Sequence, residues 1–94
     1  SYEVKSNRES GFGRYDVMII PRDKSSVAMV LEFKVHEPDE EKTLEETVAS
    51  SLAQIEEKKY DAELINAGVK KENIRHYGFA FEGKKVLIGT DEQR

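Results

Sequence analysis

The chain has no cysteine and no tryptophan, only two prolines, and no apolar run approaching the ~20 residues that cross a bilayer. Without cysteine there is no disulfide framework, no thiolate nucleophile and no cysteine-held zinc. That usage suits a reducing compartment. With no long apolar run and no signal-peptide pattern, a cytoplasmic protein is expected. An excess of positive charge is missing as well: 15 Lys and Arg stand against 19 Asp and Glu, for a net charge of −4. Passive coating of nucleic acid needs clustered cations to neutralise phosphate, so that class is disfavoured. An enzyme that meets phosphate through a metal ion is not.

What is present fits one domain of 94 residues. The sequence opens at Ser1 without a methionine, which we read as a domain from a longer protein. Residues 2–7 alternate weakly and are expected to form a strand, and RESGFG (8–13) a glycine-rich turn. RYDVMIIP (14–21) reads as a strand ended by Pro21, PRDKSS as a turn, and VAMVLEFKV (27–35) as the clearest strand. Beyond an acidic segment the period becomes helical. Leu44, Val48, Leu52 and Ile55 recur at three- and four-residue spacing, with Ala49 and Ala53 widening the face. This predicts one helix from about Asp39 to Asn66, capped by Asp39 or Thr43 and closed at Gly68. IRHYGFAF (74–81) and KVLIG (85–89) follow, joined through Glu82-Gly83 as a hairpin. The order β-β-β-α-β-β implies an α+β domain: a mixed, mostly antiparallel sheet with one long helix packed on it.

Charges interrupt the two best strands. Side chains alternate along a strand, so Val27, Met29, Leu31, Phe33 and Val35 share one face, while Ala28, Val30, Glu32, Lys34 and His36 share the other. A hairpin centred near Lys24 places Ile20 opposite Ala28, Met18 opposite Val30, Asp16 opposite Glu32 and Arg14 opposite Lys34. Opposed carboxylates, with Cβ atoms about 4.5–5.5 Å apart, repel each other. A divalent cation between them reverses the sign, and magnesium prefers oxygen ligands of this kind. A solvated sheet end with ordinary surface charges, tamed by a Lys34 salt bridge, explains the pattern equally well.

ESGFGRYD, LEFKV, AQIEEKKY and GFAFEGKKV, taken in that order, resemble the PD-(D/E)XK nuclease superfamily, in particular a bacterial group found C-terminal to AAA-ATPase-like domains. Asp16 matches the acidic residue of the first strand, Glu32-Phe33-Lys34 the (D/E)-x-K signature, and Gln54 the helix glutamine. Tyr15 replaces the signature's proline, and the opening helix usual in the superfamily is not evident. Four residues after Gln54 stands Lys58, one turn above it. Tyr60 would lie on another face of a continuous helix, which makes it a packing residue.

The resemblance implies magnesium-dependent hydrolysis of DNA phosphodiesters (manganese as a substitute), on branched or single-stranded DNA if resolvase-like. Asp16 and Glu32 would bind the ion, with the Phe33 carbonyl as a further ligand and Glu9 as a secondary candidate. Lys34 would orient or help deprotonate the attacking water, and Gln54 would hold water, Lys34 or DNA by hydrogen bonds. Ser10 and Lys58 are candidate substrate contacts. Arg14 either contacts DNA or bridges Asp16. A homodimer and an ATPase-like domain in the same chain are implied on the same basis, and the alternative is a catalytically degenerate binding module. Of the remaining candidates, His36 reads as a solvated strand end, His76 as a partly buried strand residue, and Tyr77, Phe79 and Phe81 as core. The acidic run 37–41 reads as a solvated loop and helix start.

Overall fold

Strand periodicity and turn chemistry both carry through into three dimensions. The computed structural model describes residues 1–9 and 13–91, with their side chains except those of residues 8 and 9. Its strands are β1 (Tyr2–Glu9), β2 (Arg14–Pro21), β3 (Ala28–Val35), β4 (Ile74–Glu82) and β5 (Lys85–Thr90), lying side by side in sequence order. Three antiparallel pairings flank one parallel pairing, β3 with β4. A parallel neighbour needs a crossover, and the helical segment between β3 and β4 supplies it. The fold class is α+β, with a strand order consistent with a restriction-endonuclease-like core. Among the described residues, no helix is long and apolar enough to cross a membrane.

The β2–β3 register is the expected one, with Asp16 opposite Glu32 and Arg14 opposite Lys34. The helix, however, is broken. It forms α1 (Leu44–Lys58) and α2 (Tyr60–Asn66), separated by Lys59 in the left-handed region at φ 59°. Thr43, not Asp39, caps α1: its hydroxyl accepts from the Glu46 amide at 3.2 Å. Gly68, at φ +108°, lies just beyond α2. A 3₁₀ turn at Lys71–Asn73 leads into β4.

Both helices cover the same face of the sheet. Met18, Ile20, Ala28, Val30 and Ile74 meet Ile55, Leu64 and Val69 there. Thr47 and Ser51 are buried against this face, whereas Ala49 and Ala53, expected to widen the apolar stripe, are exposed. Small residues let α1 approach. A Cβ on Gly78 would overlap Ser51 Oγ, and one on Gly89 would lie 2.6 Å from Val48 Cγ1. Tyr77, Phe79 and Phe81, expected as core, are only half-buried on the opposite face, where Phe33 and Phe79 ring centroids sit 4.7 Å apart. The reason is period two: His76, Gly78 and Ala80 take the covered side.

Candidate active site

The charges of β2 and β3 lie under the helices. Asp16 is 3% exposed, Glu32 0% and Lys34 2%, which overturns the solvated-sheet-end reading. Burying ions is expensive unless each finds a counter-charge, so the partners define the site.

Lys34 finds a counter-charge outside the two strands. Its Nζ donates to Glu41 Oε2 at 2.6 Å, and Glu41 is itself buried, not part of a solvated acidic run. Glu41 Oε1 accepts from the Glu37 amide at 3.0 Å and from Thr47 Oγ1 at 2.8 Å. Burial pushes the Glu41 carboxyl up, but Lys34, the Glu37 amide and Thr47 outweigh it and hold its pKa at about 2. The Thr47 hydroxyl has one proton. With that given to Glu41, its oxygen accepts from His36 Nδ1–H at 2.7 Å. His36 is therefore held in a buried network and is not a solvated strand end.

The carboxylate pair is served from the helix. Lys58 Nζ lies 2.8 Å from Asp16 Oδ2 and 3.9 Å from Glu32 Oε2, so one ammonium bridges both strands. Tyr60, expected to be packing alone, also hydrogen-bonds Asp16 through its hydroxyl, and burial together with that partner pushes its pKa up to about 12. The left-handed turn at Lys59 is what allows Lys58 and Tyr60 to reach the same carboxylate. A continuous helix would have separated them by about 200°. The Asp16 end opens into a cavity of about 270 Å³ lined by Lys5, Ser6, Asn7, Asp16, Met18, Tyr60 and Glu63.

Other expected residues are placed as follows. Arg14 stands opposite Lys34, and its Nη1 is buried without a hydrogen-bond partner among the described residues; the bridge to Asp16 is made by Lys58. Phe33 lies between Glu32 and Lys34 with its ring on the opposite face against Phe79. Gln54 Nε2 donates to Glu57 Oε1 at 3.3 Å on the outside of α1. Ser10 and the Glu9 side chain lie outside the described residues.

Glu41, Thr47 and Tyr60 were missed by sequence reasoning. Glu41 looked like one more member of an acidic run, and only its three-residue offset from Pro38 and its place before the Thr43 cap set it apart. His76 was also underrated. It is 1% exposed, with Nε2 2.6 Å from Asp61 Oδ1 and Nδ1 2.7 Å from Asp91 Oδ2. Burial pulls its pKa down, and the two carboxylates more than reverse that, leaving it above the ordinary histidine value.

The residues around Asp16 and Glu32 fit a divalent cation. Two buried carboxylates on adjacent strands supply hard oxygen donors, and a cationic group, the Lys58 ammonium, already stands between them. Compared with known families, residues 1–91 match the PD-(D/E)XK nuclease superfamily, and the chain belongs to it. Members of that superfamily are generally nucleases that act on DNA and typically use divalent metals. No curated protein and no solved structure gives a significant match.

Proposed function

We propose that this member of the PD-(D/E)XK superfamily is a magnesium-dependent nuclease that hydrolyses DNA phosphodiester bonds, with Asp16, Glu32 and Lys34 as its centre. The observation that carries the reading is the pair Asp16–Glu32, opposed in register, buried, and bridged by a cation. Asp16, Glu32 and the Phe33 carbonyl would hold Mg2+ or Mn2+. When bound, such an ion neutralises charge building on the phosphate and acidifies water.

The remaining work falls to the chain's own groups. Lys34, held in place by Glu41, orients the attacking water and offers its ammonium to the charge of the transition state. Lys58 bridges the two carboxylates in the resting site and would be free to contact substrate phosphate with a cation bound there. Tyr60 fixes the orientation of Asp16 by its hydroxyl. Arg14, with a buried donor to spare among the described residues, anchors a phosphate oxygen. Gln54 reaches water or the DNA backbone from α1 once it lets go of Glu57. Glu9, at the end of β1, and Ser10 would complete the metal and phosphate contacts. A homodimer, an ATPase-like domain in the same chain and a preference for branched or single-stranded DNA belong to the same reading.

One observation favours a second reading, a nuclease fold kept as a binding module: Lys58 already satisfies Asp16, and Glu41 already satisfies Lys34. Cleavage assays on duplex, flapped, branched and single-stranded DNA with Mg2+ or Mn2+ separate the two. Nuclease function predicts cutting by the parent, reduced at least about a hundredfold in Glu32→Gln and Lys34→Met. DNA binding without metal-dependent cutting would establish the binding module.

A further inference from the structure

A second constellation lies apart from the Asp16–Glu32 pair and draws on four elements. His76 comes from β4, Glu56 from α1, Asp61 from α2, and Asp91 follows β5. His76 is buried inside the cluster, while Glu56 at 57% and Asp91 at 23% side-chain exposure open it to water. Its Nδ1 lies 2.7 Å from Asp91 Oδ2 and 3.9 Å from Glu56 Oε2. These three atoms all fall within 4.8 Å of one another.

We propose that His76 Nδ1, Asp91 and Glu56 form a second divalent-cation site, suited to a transition ion of the zinc class, with Asp61 as its orienting partner. Zinc binds nitrogen and oxygen at about 2.0–2.2 Å, so adjacent ligands of a tetrahedral site stand about 3.4 Å apart. The spacings of 2.7, 3.9 and at most 4.8 Å bracket that value, and side-chain rotation of the exposed Glu56 closes the difference. The second ring nitrogen matters as much as the first. Asp61 Oδ1 sits 2.6 Å from Nε2, where it accepts the Nε2–H, so that a cation at Nδ1 would displace only the proton that Nδ1 shares with Asp91 at 2.7 Å. A carboxylate behind a ligating histidine is the usual outer support of such centres.

The donor set selects the ion. An imidazole nitrogen suits zinc, cobalt or nickel, whereas magnesium favours oxygen alone. The chain therefore holds two centres of different character: oxygen-only at Asp16 and Glu32, mixed nitrogen and oxygen at His76. Three protein ligands leave one position for water. An ion there ties β4 and the end of β5 to both helices across the Lys59 turn, and so fixes the turn that presents Lys58 and Tyr60 to Asp16. Its role is structural support of the active site.

The test is thermal melting of chelator-stripped protein titrated with zinc chloride, for the parent, Asp16→Asn, Glu56→Gln and Asp91→Asn. The site predicts a saturable rise in melting temperature in the parent and in Asp16→Asn, with the zinc midpoint shifted at least about tenfold in Glu56→Gln and Asp91→Asn. Glu56 is exposed, so Glu56→Gln tests the ligand without disturbing the core. Cobalt(II) absorption in the visible region, present in the parent and weakened in Glu56→Gln, reads ligation directly. No zinc response in the parent overturns the proposal. So does a response abolished by Asp16→Asn, or one that survives all three variants.

Discussion

Beneath the helices lie Asp16, Glu32, Lys34 and His76, none more than 3% exposed. On the other face Tyr15, Phe33, Phe79 and Phe81 are half-buried, while Val35, Val86 and Ile88 are about half-exposed. No described helix covers that second face. The contrast teaches what α1 and α2 are for at this end of the molecule. They seal polar chemistry away from bulk water, and apolar burial is concentrated at the Ile20–Ala28–Ile74 end of the same face. Ions tolerate this position because their charges are matched: Lys34 with Glu41, and Asp16 and Glu32 with Lys58 at 2.8 and 3.9 Å. Removing one partner is far worse than removing both.

That asymmetry between the faces can be broken in measurable steps. The largest effect is expected from Glu41→Gln, which leaves the Lys34 ammonium buried beside a neutral amide. Urea unfolding should show a loss of about 3–5 kcal/mol. Next is Gly78→Ala, whose methyl group would overlap Ser51 Oγ and press on the Val48 carbonyl at 3.1 Å. Overpacking of this kind costs about 1–3 kcal/mol, read in the same experiment.

Acid sharpens the comparison further. The Glu41 carboxyl is depressed from 4.5 to about 2 in the folded chain, so its contribution is fully present above 4.5 and is lost as pH falls through about 2. Melting temperature against pH should fall through that window in the parent and fall less steeply in Glu41→Gln. The strained Lys59, at φ 59°, should gain from Lys59→Gly by up to about 1 kcal/mol, since glycine relieves the left-handed backbone. The smallest effect belongs to the open face: Val86→Thr and Ile88→Thr should each stay within about 0.5 kcal/mol.

Strand pairing was legible in the sequence because register is arithmetic once a turn is located. Asp16 and Glu32 meet as that arithmetic requires. The identity of the buried face was not legible from β3 alone, where one side reads Met29, Leu31, Phe33 and the other Val30, Glu32, Lys34. Hydrophobicity favours the first, yet the second is covered, because the helices pack on the side where Gly78 and Gly89 leave room. The helix break was hidden as well, since Lys59 carries no glycine or proline signal. With it went Tyr60, whose place beside Asp16 depends on a backbone angle and not on spacing. Glu41 escaped for a related reason: within an acidic run, only the fold tells which carboxylate turns inward.

On the proposed reading, Asp16 and Glu32 form a cation site in which Lys58 stands where a metal ion would bind. The most direct measurement is thermal melting under Mg2+ and Mn2+ titration for the parent, Asp16→Asn and Lys58→Met. A metal that binds only the folded chain adds about 2.7 kcal/mol at a hundredfold excess over Kd. A saturable rise is expected in the parent, none in Asp16→Asn, and a rise at lower metal concentration in Lys58→Met, where the competing ammonium is gone. Melting curves of the parent and Lys58→Met that ignore both metals would contradict it.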